Sequence, residues 1–293
     1  MHPHSRRPRS VSRALLIWRS AIWLLLLGAV LAPIAAFLAY GLFSVEEGQI
    51  IYDLSLKNYA EVFGDPVYRS VLSKTILIAA QVSGLCFVLG YVVALYIWRR
   101  GTLLKYTLIF IVAIPLMMSY VIKIYSMRGL LGHTGFLNQI LIWLGLIDEP
   151  LSAFLFNLTA VRMTLVFALV PFCILTTFVG LERIPAATIN AARDLGASST
   201  RIFWKIILPL SLPSAIVGVM FTFVLSVGDF LAPELVGGVN GLTYGRLIFS
   251  QFGIAFNWPL GAALSLILMV ISFAVIALAG WLSNPRWMRG GAV

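Results

Sequence analysis

The residues of this chain best able to handle a polar solute sit on one long apolar stretch. Ser214, Gly218, Thr222 and Ser226 recur every four residues, and Asp229 follows three later. At about 100° per residue, a helix gathers all five within about 120° of arc. Three hydroxyls and a carboxylate on one face could replace part of the water shell of a cation, whose desolvation in a low-dielectric layer is costly. The same small residues could instead let two helices approach closely. Asp229 weighs towards binding, because an acid within an apolar span is expensive and is usually functional. No other reactive set forms. His2, His4 and His133 are scattered, Cys86 and Cys173 lie in apolar runs without metal spacing, and no Gly-rich phosphate loop is followed by Lys.

A second stretch stands out by being polar. Residues 190–209 read NAARDLGASSTRIFWKIILP. Asn190 to Leu195 reads as helical, Gly196 as its stop, and Ser198, Ser199 and Thr200 as caps for a second helix, Arg201 to Leu208, before Pro209. The expectation is a short helix–turn–helix between two apolar spans.

Of the 293 residues, 60% are hydrophobic and only 11% are charged. Soluble domains carry about 25% charged residues, so a polytopic membrane protein is expected. Apolar runs near the ~20 residues needed to cross a bilayer fall at 22–43, 71–98, 106–127, 161–181, 214–235 and 260–282. Pro33, Pro115 and Pro171 lie inside runs one, three and four, and Pro213 is placed to open the fifth. The segment 136–146 is too short to cross and reads as an amphipathic helix on the outer surface. Lys123 and Arg162 lie near outer span ends and should snorkel. The net charge of +10 is spread between the runs and not over one soluble face, so nucleic acid is not the expected partner. Of the 21 Lys and Arg, 14 fall in the N-terminus, the 99–105 loop, the 182–209 loop and the tail. The positive-inside rule puts those four segments in the cytoplasm.

The polar stretch resembles the signature of the integral-membrane subunits of binding-protein-dependent ATP-driven importers: Glu-Ala-Ala, three residues, Gly, nine residues, Ile, one residue, Leu-Pro. Ala191, Ala192, Gly196, Ile206, Leu208 and Pro209 stand at that spacing, and Asn190 replaces the Glu. Further likeness, to the spermidine/putrescine-type permeases, lies in Ser55–Tyr59, in Gly135–Asn138, in Gly228–Phe230 with Leu235–Gly238, and in Asn257–Ala263. The resemblance implies an all-α type I importer permease with six transmembrane helices. The loop between spans four and five would be its cytoplasmic coupling element, docking on an ATPase. It also implies that span five lines the cargo path. Two cytoplasmic ATPase subunits, a second permease (similar or identical) and a periplasmic solute-binding protein are the implied partners. ATP would be held by those ATPases, so this subunit is expected to need no cofactor and to be no enzyme.

The organisation expected is therefore a basic cytoplasmic N-terminus (1–20), a transmembrane domain (21–283) with its coupling loop at 182–209, and a cytoplasmic tail (284–293). The setting is the bacterial inner membrane. A polyamine is the first expectation for cargo; relatives of this pattern also carry opine-like compounds, phosphonates or ferric iron. An ion-coupled secondary transporter would want repeats and several midplane acids, and an intramembrane enzyme would want paired acids or metal ligands. Neither pattern is present in the sequence.

Overall fold

The computed structural model describes residues 13–46, 48–151 and 154–282. The tail, and the N-terminal segment ahead of Arg13, lie outside the described residues. Helices dominate: α1 (Arg13–Ala39), α2 (Lys57–Gly64), α3 (Pro66–Trp98), α4 (Thr102–Met117), α5 (Tyr120–Leu131), α6 (Phe136–Trp143), α7 (Leu158–Glu182), α8 (Ala186–Asp194), α9 (Ser199–Ile202), α10 (Leu208–Val227), α11 (Leu231–Val236), α12 (Tyr244–Gly253) and α13 (Trp258–Leu282). A hairpin of Ser44–Glu46 and Gln49–Ile51 sits between α1 and α2. Among the described residues, five helical stretches are long and apolar enough to cross a membrane, or six if one bent pair is counted as a span.

Helix starts follow local chemistry. Asp65 accepts from the Val67 N–H at 2.7 Å with Pro66 in the first turn, so span two begins at Pro66 and not at residue 71. Asn157 accepts from the Ala160 N–H at 2.9 Å and opens span four at Leu158. Span four then runs unbroken through Pro171, because a membrane helix can absorb one lost backbone bond.

Two of the expected spans are corrected. Span three is not one helix over 106–127. α4 is 16 residues long and stops at Met117, and the chain turns by 97° before α5 and α6. Pro115 sits in the last turn of α4, and the break falls just after it at Met118 and Ser119. Span five does not run over 214–235. It is continuous from Ser199 to Val227, starting far earlier and ending at Gly228. Pro213 lies inside it and Pro209 in its first α-helical turn. The second helix of the polar stretch is therefore not a separate piece. A five-residue π segment, Phe203–Ile207, joins α9 to α10, shifting the register in one wide turn without ending the helix.

α3, α7 and α10 form the central packing trio. One apolar cluster joins Val82 and Cys86 of α3, Ile124 and Leu131 of α5, Leu165 and Ala168 of α7, and Val236 of α11. A second joins Ala94 and Ile97 at the end of α3 to Leu181 of α7, Ile189 of α8 and Ile202 of α9. A third joins Val71 at the start of α3, Tyr244 of α12 and Leu260 of α13. The end of α1 meets the start of α13, where Gly41 lies against the Ala263 backbone. These contacts put the 99–105 loop, the 182–209 loop, the start of α1 and the end of α13 at one end of the molecule. α2, α12 and the hairpin occupy the other.

Candidate functional site

The polar stretch folds as an elbow. α8 ends at Asp194, Gly196 takes φ +78°, and Ser198 Oγ accepts from the Arg201 N–H at 3.3 Å to start α9. A positive φ is open to Gly at little cost and strained for a β-branched residue. α8 begins at Ala186, four residues ahead of the expected Asn190, because Pro185 sets an extended entry. The signature residues divide by direction. Asn190 and Ala191 face outward and are exposed, as are Leu195 at 88% and Trp204 at 62%. Ala192 and Ile206 turn inward and pack on Ile189, Ile202 and Ile207, against the ends of α3 and α7. Leu208 and Pro209 are half-buried where the elbow becomes α10. Beside it, Lys105 donates to both oxygens of Glu182 at 2.9 and 3.1 Å, tying α4 to the end of α7. The elbow is thus one piece with span five and is held to span four, while its outer rim offers apolar side chains to solvent.

The small-residue stripe faces α7. A Cβ added at Gly218 would strike Thr176 Oγ1 and the Cys173 backbone, and one added at Gly180 would come within 2.6 Å of Ser214 Cβ. Thr222 is fully enclosed, its hydroxyl donating to the Gly218 and Val219 carbonyls. Ser226 is buried, and its hydroxyl has no partner among the described residues. A cargo path along this face would have to open between α7 and α10.

Asp229 does not belong to the span helix. It follows the break at Gly228, where Oδ1 accepts from the Tyr120 hydroxyl at 2.8 Å and Oδ2 from the Ala232 N–H at 2.9 Å. The carboxylate caps α11 and pins it to α5. Both oxygens are engaged, with no Lys or Arg paired to them among the described residues. Five residues away, Glu234 pairs with Arg246 Nε at 2.6 Å.

The expected snorkelling of Lys123 is corrected. Lys123 is buried, at 6% exposure, with its Nζ 5.6 Å from the centre of the Tyr120 ring. Arg162 is half-buried, with its Nε enclosed and without a hydrogen-bond partner among the described residues. The bend between α4 and α5 turns Lys123 into the protein, where a straight span would have carried it to the surface. Sequence reasoning passed over Tyr120, Thr176 and Gly180. Each becomes important only through the helix facing it, so nothing in its own neighbourhood signals it.

Comparison with known proteins places this geometry. The family described as "Binding-protein-dependent transport system inner membrane component" matches residues 86–287. The spermidine/putrescine transport system permease protein PotB of Salmonella typhimurium is 34% identical over 217 residues, 74% of this chain and 75% of that protein. PotB of Haemophilus influenzae is 32% identical over 249 residues, 84% of this chain and 86% of the relative. Among solved structures, a bacterial alginate ABC transporter in complex with an alginate pentasaccharide-bound periplasmic protein superposes with a TM-score of 0.74 at 15% identity, over 96% of each chain. That likeness carries the fold.

Proposed function

The chain belongs to the family of inner membrane components of binding-protein-dependent transport systems, and from that premise we propose that it is the permease subunit of an ATP-driven polyamine importer. The observation that carries the importer reading is the continuous helix from Ser199 to Val227. It makes the exposed elbow and a membrane span one rigid lever. We assign the outward rim, with Asn190, Ala191, Leu195 and Gly196, to ATPase docking. The inward residues Ala192, Ile206, Leu208 and Pro209 transmit the motion. ATP binding on separate ATPase chains then moves the elbow, and α10 moves with it against α7. A second permease, similar or identical, completes the path, and a solute-binding protein delivers cargo at the α2, α11 and α12 end. ATP chemistry belongs to the partner chains.

Polyamine cargo rests on the likeness to permeases named for spermidine and putrescine. The direct test is uptake of labelled spermidine by cells that lack other polyamine importers and express this chain with its own ATPase, second permease and binding protein. Spermidine uptake that requires all of them is expected. Normal complex assembly with no polyamine uptake, and uptake of another solute bound by the same binding protein, would replace the cargo and leave the importer intact.

A further inference from the structure

The turn that ends α3 carries two arginines that no acid neutralises among the described residues. Val92, Leu95 and Tyr96 share one face of the last turns of α3, as spacings of three and four require, and Arg99 and Arg100 stand in the turn that ends it. Val92, Leu95, Tyr96, Arg99 and Arg100 line a cleft of about 470 Å³ on that face. The Arg100 guanidinium lies 4.0 Å from the centre of the Tyr96 ring, which holds it over the cleft. Arg99 and Arg100 are exposed, and no acid pairs with either among the described residues. The acid of the neighbouring element, Glu182, is occupied at both oxygens by Lys105. Val92 and Tyr96 are exposed as well, at 62% and 53%, on the apolar turns just inside the arginines.

This is two-part chemistry. An apolar strip leads, over two turns of helix, to a pair of unneutralised guanidiniums where the span ends. We propose that the cleft holds an anionic phospholipid, its phosphate on Arg99 and Arg100 and the head of an acyl chain along Tyr96, Leu95 and Val92. Guanidinium forks match phosphate oxygens in bidentate geometry, and Arg sheds its water more readily than Lys does. A diffusible anion explains the arginines but not the exposed apolar strip beneath them, and a neutral lipid explains the strip but not the charge. The proposal needs only that this end of α3 meets a membrane surface; it does not depend on the cargo.

The test uses the complete transporter, delipidated in detergent and re-supplied with one lipid at a time. Native mass spectrometry counts bound lipid, and thermal melting reads its effect. Phosphatidylglycerol is expected to remain bound in preference to phosphatidylcholine. Each arginine near a charged surface is worth about fivefold in lipid affinity, so Arg99→Gln with Arg100→Gln should lower phosphatidylglycerol binding about 25-fold. Complex yield should be unchanged, because neither side chain pairs with an acid among the described residues and the one ring contact, Arg100 on Tyr96, lies at the exposed surface. Arg99→Lys with Arg100→Lys should retain part of the preference. Equal retention of the two lipids, or an unchanged phosphatidylglycerol count in the double Gln variant, would overturn the proposal. So would inorganic phosphate stabilising as well as the lipid does, since the site would then be for a free anion. Cross-linking of a Tyr96→Cys variant to a partner subunit at full yield would also overturn it, because the cleft would then be an interface.

Discussion

Gly196 sits at φ +78° with nothing within 4 Å of where a Cβ would be. A substitution there meets no steric neighbour, so its whole effect is on the backbone. A non-Gly residue in the left-handed region costs roughly 1–2 kcal/mol, and Asn tolerates that region better than Val does. Gly196→Val is expected to uncouple ATP hydrolysis from transport while leaving insertion normal, and Gly196→Asn to keep most of the coupling. ATPase assays of the reconstituted complex with and without loaded binding protein check this; full coupling in the Val variant would remove the elbow from its docking role. Asp229 is a different kind of residue. Its two oxygens join α11 to α5 through Tyr120, and losing a hydrogen bond to a buried charged group costs about 1.5–3 kcal/mol. Asp229→Asn and Tyr120→Phe are therefore expected to lower complex yield alike, with the double variant no worse than either, as for partners in one network. Uptake and yield must be read on the same samples. A fall in polyamine uptake confined to Asp229→Asn, at normal yield, would show instead that the carboxylate meets the cargo.

At the scale of elements, α7 and α10 meet through interlocked small residues. Gly218 lies against Cys173 and Thr176, and Gly180 against Ser214. In a membrane such contacts hold helices together by close packing, since lipid is as apolar as the side chains. Gly218→Val should wedge the pair apart. Overpacking of this kind costs about 1–3 kcal/mol. A lower melting temperature and a lower yield in detergent are the expected readouts. Gly28→Ala on α1, where an added Cβ meets nothing, should stay near wild type. Equal behaviour of the two variants would mean that the α7–α10 contact opens freely, as a cargo path between them requires.

For the whole molecule, the contacts of α1 with α13 and of α3 with α7, α8 and α9 collect the basic loops at one end. Positive charge is retained on the cytoplasmic side, so that end is expected to face the cytoplasm. A single Cys at the exposed Glu61 of α2 should react with an impermeant thiol reagent in sealed, right-side-out cells, and one at Ser198 should not. Labelling at Ser198 alone would invert the orientation and place the elbow beyond the reach of a cytoplasmic ATPase. α1 lies along the outside of the bundle with a broad exposed apolar face running from Leu24 to Leu31. Gln81 stands exposed on the outer side of α3, midway along a span. A polar amide there is poorly matched to hydrocarbon.

Apolar runs of sufficient length, the split of basic residues between loops, and the Ala-Ala, Gly and Leu-Pro spacing of the elbow were all legible in the chain, because each is written locally. Bilayer thickness dictates run length, Gly at a helix stop dictates the turn, and charge sets the orientation to be expected. The ends and facings of the helices were not legible. Span three breaks at Met118, one turn's width from Pro115, because α5 packs Ile124 and Leu131 into the α3–α7 core and so must leave the direction of α4. Span five swallows the second elbow helix because Ile202 and Ile207 are buried against the ends of α3 and α7, which favours an unbroken helix across the π segment over a second turn. The stripe from Ser214 to Ser226 is equally suited in sequence to a solute or to a helix. Only the position of Gly180, Thr176 and Cys173 opposite it, residues some 40 positions away, decided that in this structure it holds α7.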